Sequence, residues 1–290
     1  MKSSYKGVLG KIETNYEKLP KNQKKIADYI INNTDEVPFK SVNELSISTG
    51  VSVASIVRFA QRIGYKGFLE LRDDISDSLK TRIQNKEIFS LFEGKSINSD
   101  TLTSVANQEI SNINDTLNLI DRKSFDSAVS KILKSERVYT AGLGISYLLS
   151  EILAYQLCQV AVDADNMRHD HSSFMEKVMY LKPKDLVIIF SFPPYSKETI
   201  ETARLAKEQG IGVVSITNKN AAPAARYSDV TLVVKSENML FTNSFSAISV
   251  LINAIATECA LKNKNKANQI LKKLNEITEI QNLVISNGNN

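Results

Sequence analysis

Hydroxyl side chains are concentrated in the segment SFPPYSKET, residues 191–199, which directly follows the apolar run LVIIF. Serine, tyrosine and threonine hydroxyls can each donate a hydrogen bond to an anionic oxygen. The sequence predicts a helix after this segment with Ser196 at its N-cap, and the free N–H groups and dipole of a helix N-terminus also attract anions. The two prolines predict a rigid loop. These features indicate an anion pocket, and the alternative is that Ser196 only caps its helix.

Two further segments of small or hydroxyl residues follow predicted strands. The first is GLGIS, residues 142–146, and the second is the pair Thr217 and Asn218. Glycines let the backbone approach a ligand closely, and ligands of open α/β sheets bind beyond the carboxyl ends of the strands. We therefore expect these segments and residues 191–199 to converge on one bound phosphate.

Strands that alternate with helices over residues 124–262 must position these segments. The predicted strands are ERVYTAGLG, DLVIIFS, GVVSITN and VTLVV, and the predicted helices are ISYLLSEILAYQLCQVAV, SKETIETARLAKEQG and SFSAISVLINAIATECALK. This alternation predicts an α/β domain with a parallel sheet flanked by helices, in flavodoxin-type or Rossmann-type layers. The segment TNSFS, residues 242–246, is interpreted as the N-cap of the last helix, although its polar side chains could contact a ligand.

An all-α domain is predicted in residues 1–78. The segment SVNELSISTG has Ser41 and Glu44 at capping-box spacing and ends at Gly50, a typical stop for a helix. The following segment, VSVASIVRFAQRIG, begins with Ser52 as a predicted N-cap and also ends at a glycine. Two capped helices joined by a tight turn are typical of a helix-turn-helix domain.

The second helix of this pair has two different faces. Its apolar stripe at positions i, i+3, i+7 and i+10 predicts a core contact and consists of Val53, Ile56, Ala60 and Ile63. Another face starts with small residues and continues with arginines, which suits entry into the DNA major groove because Arg can pair with guanine or phosphate. A helical bundle with a solvated Arg face is the alternative. The candidate DNA contacts are Ser52, Ala54, Ser55, Arg58, Gln61, Arg62 and Lys66.

The excess positive charge of the chain lies in its first third. Residues 1–85 contain 14 Lys and Arg against 10 Asp and Glu, a net charge of +4, and residues 86–290 contain 22 of each sign. Such asymmetry favours a polyanion as the partner of the first domain. A solvated basic face would have the same composition.

The composition is that of a soluble globular protein of about two domains. The 290 residues are 42% hydrophobic and 23% charged, and the two cysteines, Cys158 and Cys259, lie in helix-like stretches, which suits a reducing compartment. No apolar run approaches the ~20 residues of a membrane span, and the first residues do not resemble a signal peptide. We expect a cytoplasmic protein without a membrane partner.

Two remaining segments are predicted to be helical. Residues 79–123 are interpreted as a polar helical connector whose apolar side chains could pack on a neighbour in a dimer. Residues 263–290 are interpreted as a C-terminal helix followed by a tail.

The segment VSVASIVRFAQRIGYKGFLELR resembles the helix-turn-helix signature of the RpiR family of bacterial transcription regulators. GLGIS, VIIFSFPPYSKETIETARLAKEQG and VVSITNKNAAPAARYSDVTLVV resemble a sugar isomerase (SIS) domain, which this family carries C-terminally. Together the matches extend in the right order to about residue 262. The resemblance implies a homodimer or a dimer of dimers whose SIS domain binds a phosphorylated sugar and whose first domain binds operator DNA.

The resemblance also assigns residues to the sugar phosphate. Ser146, Ser196 and Thr199 match phosphate-binding positions of SIS domains, and Lys197 and Glu198 would contribute backbone N–H groups. Many SIS domains have Ser-x-Ser-Gly-x-Thr in the second loop, whereas this chain has Pro194 in place of the first serine and no glycine. Ser191 is the candidate substitute, and Tyr195 is a candidate contact to the sugar. The candidate effector-binding residues are Gly144, Ser146, Ser191, Tyr195, Ser196, Lys197 and Thr199.

Because SIS domains also occur in isomerases, a sugar-phosphate isomerase with an accessory nucleic-acid-binding domain is the alternative function. Aldose–ketose interconversion needs a base, and the two histidines, His169 and His171, lie in a segment interpreted as a surface loop. Glu151 and Glu198 are conceivable bases on predicted helices, where solvated carboxylates are common. No third ligand accompanies the histidines as a metal site requires. We therefore expect no catalytic residue, no metal and no cofactor.

Overall fold

The chain divides into two compact units, Met1–Ser96 and Ile97–Asn290. The computed structural model describes residues 7–34, 36–85, 100–168, 170–238 and 242–280. The predicted tail after residue 280 and His169 lie outside the described residues. No helix within the described ranges is long and apolar enough to cross a membrane. The domain limits given above stay predictions.

The described residues of the first unit form five α-helices: α1 (Val8–Asn15), α2 (Lys21–Asn32), α3 (Val42–Thr49), α4 (Val53–Arg62) and α5 (Phe68–Asn85). Two short 3-10 helices, Tyr16–Lys18 and Val37–Phe39, lie between them. Their apolar faces meet in one core, because the apolar residues of each helix repeat at helical spacing. The fully buried side chains of this core include Ile12, Ile26, Ile30, Leu45, Ile56, Phe59 and Leu71.

Local capping signals set the limits of α3 and α4. The Ser41 hydroxyl accepts a hydrogen bond from the Glu44 N–H at 3.2 Å, and the Glu44 carboxylate accepts one from the Ser41 N–H at 2.7 Å. Helix α3 then ends at Gly50, whose φ of 64° lies in the left-handed region that favours glycine. Ser52 is the N-cap residue of α4. These observations confirm the predicted helix-turn-helix, including the end of its first helix at Gly50 and the start of its second helix at Ser52.

The described part of the second unit contains one sheet of five parallel strands in the order β2-β1-β3-β4-β5. The strands are β1 (Val138–Ala141), β2 (Ala164–Asn166), β3 (Leu186–Ser191), β4 (Gly212–Thr217) and β5 (Val230–Val233). The helices are α6 (Thr101–Leu119), α7 (Arg122–Lys134), α8 (Ile145–Gln159), α9 (Phe174–Val178), α10 (Lys197–Glu208), α11 (Ser246–Lys262) and α12 (Lys264–Ile280). This architecture confirms the predicted α/β domain.

The sequence pattern misses β2 among these strands. The strand has only three residues at one edge of the sheet, and its central residue, Asp165, is exposed. Such a short, polar edge strand lacks the apolar run that reveals β3, in which every residue is buried.

Helices cover both faces of β3, and its side chains alternate between them. Leu186, Ile188 and Phe190 lie in the core that α7, α8 and α11 share with the sheet. Val187, Ile189 and Ser191 therefore point to the other face, on which α10 packs against β3 and β4. This alternation places the last residue of β3 on the same side as the helix that follows it.

The strand order reverses between β1 and β3. From β1 the chain passes through α8 to β2 on one side, and it then returns to form β3 on the other side of β1. Right-handed crossovers place α8, which follows β1, and α10, which follows β3, on opposite faces of the sheet. The loops after β1 and β3 therefore separate and leave a crevice between them, which is the usual ligand site of such sheets.

Asp229 fastens the opposite end of the sheet. Its carboxylate accepts hydrogen bonds from the Val213 N–H at 3.0 Å, from the Lys131 ammonium at 3.2 Å and from the Lys207 ammonium. Burial alone would raise the pKa of Asp229, but these hydrogen bonds outweigh it and lower the pKa. The start of β4 is thus tied to α7 and α10 through one ionised carboxylate.

Helix α11 begins without a side-chain cap. Phe245 is its N-cap residue and already has helical backbone angles, so the polar side chains before it are not placed to cap the first turn. The interpretation of residues 242–246 as an N-cap is therefore wrong. Asn243 and Ser244 instead bind Pro193 and Glu109.

Candidate nucleic-acid interface and anion site

The exposed face of α4 carries the residues predicted to contact DNA. Its buried face is formed by Ile56, Phe59 and Ala60, followed by Ile63, whereas Val53 is only half-buried. The predicted stripe omits Phe59, which lies at i+3 from Ile56 and completes an i, i+3, i+4, i+7 core pattern. On the outer side Ser55 is half-buried, and the exposed candidates are Ser52, Ala54, Arg58, Gln61, Arg62 and Lys66.

Small side chains surround the N-terminus of α4. The Ser52 hydroxyl lies 3.1 Å from the Ser55 hydroxyl and does not cap a backbone N–H group. Arg58 and Arg62, one helical turn apart, form no hydrogen bond or ion pair with any residue that the structure describes. The backbone of Lys66 donates to the Glu70 carboxylate at 2.5 Å, and its side chain is exposed. This face therefore presents cationic groups to an external partner.

The loop after β1 brings the backbone close to the start of α8. A Cβ at Gly142 would lie 2.4 Å from the carbonyl oxygen of Ser146, so only glycine fits there. Gly144 is the N-cap residue of α8, with φ 62° and ψ −130°, and it has no side chain to cap the helix. The first N–H groups of α8 thus lack a side-chain cap from this position, next to the buried Ser146.

The end of β3 contains a buried hydroxyl without a partner. Ser191 is 2% exposed, and its Oγ makes no hydrogen bond with the residues that the structure describes. Its backbone oxygen accepts from the Thr217 hydroxyl on β4 at 2.5 Å. A buried polar group without a partner is unfavourable, so the Ser191 hydroxyl is available to a ligand in the crevice.

Two side chains hold the loop that follows. The Tyr195 hydroxyl donates to Asn218 Oδ1 at 2.6 Å, and Asn243 Nδ2 donates to the Pro193 oxygen at 2.6 Å. The peptide bond between Pro193 and Pro194 is cis. Tyr195 is buried, so its hydroxyl already positions the loop against β4; its contact with a sugar stays a prediction.

The N-terminus of α10 follows this loop. The Ser196 hydroxyl accepts from the Glu198 N–H at 3.2 Å, which leaves its own proton free to be donated. The buried Thr199 hydroxyl donates to the Ser196 oxygen at 2.9 Å, so it must exchange that bond to donate to a ligand. The Lys197 side chain is exposed, and Glu198 accepts from the Phe174 N–H at 3.0 Å.

Strand register brings the three predicted segments to one edge. Ala141 is paired with Ile189, and Ser191 is paired with Thr217. The loops after β1, β3 and β4 therefore leave the sheet side by side. Within the described residues, no group of three or more His, Cys, Asp and Glu side chains could hold a metal ion, and His169 lies outside them.

Both halves of the chain match known families. Residues 6–82 match the model of the helix-turn-helix domain of the rpiR family, and residues 131–258 match the model of the SIS domain. A protein of Haemophilus influenzae described as an uncharacterized HTH-type transcriptional regulator is 32% identical over 230 residues, which are 78% of this chain and 79% of that protein. The chain belongs to the RpiR family of transcriptional regulators. This finding confirms the predicted family and function class.

Solved structures show the same RpiR-family architecture. The NanR protein of Vibrio vulnificus, solved in complex with ManNAc-6P, is 25% identical and has a TM-score of 0.69, with 96% of this chain and 99% of that chain covered. The sugar isomerase domain of an RpiR transcription factor from Sphaerobacter thermophilus is 23% identical with a TM-score of 0.59, and it covers 61% of this chain and 99% of that chain.

The structure of this RpiR-family regulator adds contacts that the sequence pattern does not reveal. Asn243 donates a hydrogen bond to Pro193 in the loop after β3, 50 residues earlier in the chain, and only the folded chain brings the two together. The motif departure at Pro194 is accompanied by the Ser191 hydroxyl, which lies three residues earlier and has no hydrogen-bond partner in the part of the chain that the structure describes. The individual DNA and effector contacts stay predictions.

Proposed function

We propose that the second unit binds a phosphorylated sugar and that this binding changes the affinity of the first unit for operator DNA. The observation that carries the proposal is the buried Ser191 hydroxyl, which has no hydrogen-bond partner among the described residues and lies beside the reversal of strand order. NanR of Vibrio vulnificus, which shares the architecture along nearly the whole chain, was solved with ManNAc-6P. Both facts support a phosphosugar as the effector.

The phosphate is assigned to donors on both sides of the crevice. One side offers the N-terminus of α8 with Gly144 and Ser146, and the other offers Ser191, Ser196 and the N-terminus of α10. Each charge-assisted hydrogen bond contributes roughly 1.5–3 kcal/mol. Three or four such bonds approach the binding free energy of about 8 kcal/mol that micromolar affinity requires. The N–H of Lys197 and, after it exchanges its present bond, the hydroxyl of Thr199 complete the set.

Operator DNA is assigned to the exposed face of α4. Small residues at Ser52 and Ala54 let the start of the helix approach the base edges, and Arg58 and Arg62 supply guanidinium groups further along. Gln61 and Lys66 extend this surface. A homodimer or a dimer of dimers would present paired helices about 34 Å apart, one turn of DNA. We place this regulator in the cytoplasm, where the operator is accessible.

We propose a regulator that does not catalyse a reaction on the sugar. One candidate base, Glu198, already accepts a hydrogen bond from the Phe174 N–H. The other, Glu151, accepts from the Tyr147 hydroxyl at 3.4 Å and lies 3.6 Å from the Arg168 guanidinium. Both carboxylates thus have structural partners. We assign the chain no cofactor.

The test is a DNA-binding titration with fragments from upstream of the gene that encodes the chain. The fluorescence anisotropy of labelled DNA is measured during the titration, first without a sugar and then with each member of a panel of hexose, pentose and amino-sugar phosphates. The unphosphorylated sugars and inorganic phosphate are the controls. We expect salt-sensitive binding that one phosphorylated sugar changes and its unphosphorylated form does not. DNA binding that no sugar phosphate alters, together with isomerase activity on the same panel, would support the enzyme instead.

A further inference from the structure

Helix α6 contacts the rest of its unit through several polar side chains. Its buried residues are Asn112 and Thr116, whereas several of its apolar side chains are exposed, among them Leu102, Ile110 and Leu117. The usual arrangement for a packed helix is the reverse, with the apolar side chains buried. Apolar contact with the core is made by half-buried Ile113 and by Ile120 at the C-terminal end of the helix. Directional hydrogen bonds from the polar side chains add to this contact and orient α6.

These hydrogen bonds lead to residues that follow β5, of which the structure describes 234–238 and 242–245. Asn112 Nδ2 donates to the Glu237 oxygen at 2.7 Å, and the Lys235 N–H donates to the Thr116 hydroxyl at 3.0 Å. Near the other end of the segment, the Ser244 hydroxyl donates to the Glu109 carboxylate. Residues 109, 112 and 116 are spaced i, i+3 and i+7, so a single face of α6 makes all three contacts.

The same segment reaches the proposed effector loop. The Asn243 side chain donates to the Pro193 oxygen at 2.6 Å and accepts from the Ser236 hydroxyl at 3.1 Å. The Ser244 N–H then donates to the Ser236 oxygen at 2.9 Å. Neighbouring residues of one short segment therefore contact the loop on one side, through Asn243, and α6 on the other, through Ser244.

We propose that Asn243 and Ser244 are positioning residues that couple the effector loop, residues 191–199, to α6. Ligand contacts at Ser191 and Ser196 fix the loop on both sides of Pro193, and the Pro193 oxygen sets the position of Asn243. The position of Asn243 determines that of the neighbouring Ser244, whose hydroxyl is bound to Glu109 of α6. This inference rests on the proposed function, because it describes how effector binding reaches the rest of the chain.

The location of α6 in the sequence makes it the element to be controlled. It is the first described helix after the DNA-binding unit, since α5 ends at Asn85 and α6 begins at Thr101. Effector binding can change DNA affinity only if it favours one arrangement of the chain over another. Hydrogen bonds depend on distance and angle, so a shift of Asn243 and Ser244 would change the bonds that orient α6.

The test uses the full chain and removes the link at Glu109. Glu109 is half-buried, so Glu109→Ala should leave the fold intact, and Glu109→Gln keeps an acceptor for the Ser244 hydroxyl. Ser111→Ala is the matched control, because the exposed Ser111 hydroxyl donates to Asp115 of the same helix at 3.4 Å and to no other residue that the structure describes. Ser244→Ala tests the same bond from its buried side.

Two affinities are measured for each variant. The first is the affinity for the DNA fragment, with and without the sugar phosphate that acts most strongly on the wild type. The second is the affinity for this sugar phosphate. Typical coupling changes DNA affinity about 5- to 150-fold. We expect Glu109→Ala and Ser244→Ala to reduce this factor at least about five-fold or to abolish it, with effector affinity within about three-fold of wild type. Glu109→Gln and Ser111→Ala should respond like the wild type.

The outcomes separate this inference from the function on which it rests. A wild-type chain whose DNA affinity no sugar phosphate changes refutes the proposed function and the inference with it. A responsive wild type with equally responsive Glu109→Ala and Ser244→Ala variants refutes the inference alone. The double variant Asn243→Ala/Ser244→Ala should lose no more coupling than either single variant; additive losses would show that the two residues act separately.

Discussion

Replacing Ser191 by alanine should raise the stability of the fold and lower effector affinity at the same time. The Ser191 hydroxyl is buried and makes no hydrogen bond with the described residues, so it lowers stability without a ligand. Its removal should raise the free energy of unfolding by about 1 kcal/mol. In the proposed complex the same hydroxyl would donate a charge-assisted hydrogen bond to the phosphate. Its loss should weaken binding by roughly 1.5–3 kcal/mol, or about 10- to 150-fold.

A matched control lies on the adjacent strand. Ser215 is also fully buried, but its hydroxyl is hydrogen-bonded to the Ser228 hydroxyl. Ser215→Ala should therefore lower the free energy of unfolding by about 0.5–1.5 kcal/mol and leave effector affinity unchanged.

Thermal unfolding and calorimetric titration of the sugar phosphate measure both effects. A change of 1 kcal/mol corresponds to about 2–4 °C in Tm for a unit of this size. If Ser191→Ala is destabilised as much as Ser215→Ala, the Ser191 hydroxyl has a partner and the reasoning fails. Unchanged effector affinity would place the phosphate elsewhere.

Three further perturbations test other parts of the molecule. Arg58→Ala should weaken DNA binding by about 1–3 kcal/mol with sugar-phosphate binding intact, as measured by anisotropy and calorimetry; loss of both would indicate misfolding instead. Gly142→Ala should abolish effector binding because its Cβ would meet the Ser146 backbone at 2.4 Å, whereas Gly67→Ala, which meets nothing within 4 Å, should be tolerated; equal binding by the two would contradict the tight turn. Asp229 has a lowered pKa, so it stabilises the fold above its unfolded pKa of about 3.9, and this stabilisation is lost as the pH falls through the lower folded value. Asp229→Asn should lower Tm near neutral pH and remove this part of the acid dependence in a Tm–pH profile; a parallel profile would contradict the assignment.

Local signals predict the helix-turn-helix well. The capping pair Ser41 and Glu44 and the stop at Gly50 lie within ten residues, and each acts on its nearest backbone groups. Such signals are readable because their partners are fixed by short spacing along the chain. Phe59 is missing from the predicted stripe because the apolar residues of this 10-residue helix fit more than one helical repeat.

Contacts between distant segments are not readable in this way. The bond from Ser244 to Glu109 joins residues 135 positions apart, and the bond from Asn243 to Pro193 joins residues 50 positions apart. From sequence alone the polar residues before α11 are typical of an N-cap, since Asn and Ser favour that position. The fold decides otherwise, because Phe245 takes the N-cap position and the two polar side chains are used by neighbours.

The anion site is intermediate between these cases. Strand-end loops and hydroxyls can be read from the sequence, because parallel strands place their carboxyl ends at one edge. The hydrogen-bond partner of each hydroxyl cannot be predicted from the sequence. The structure distinguishes the Ser191 hydroxyl, which has no hydrogen-bond partner among the described residues, from the Thr199 hydroxyl, whose proton is donated to the Ser196 oxygen.

The most direct test of the regulator is the reciprocity of its two ligands. The sugar phosphate is titrated into the free chain and into the chain saturated with its DNA fragment, and the two Kd values are compared. Linkage requires the effector Kd to change by the same factor as the DNA Kd changes with effector. We expect a change of about 5- to 150-fold, equal in both directions. Identical effector Kd values in the presence and absence of DNA would contradict the coupling.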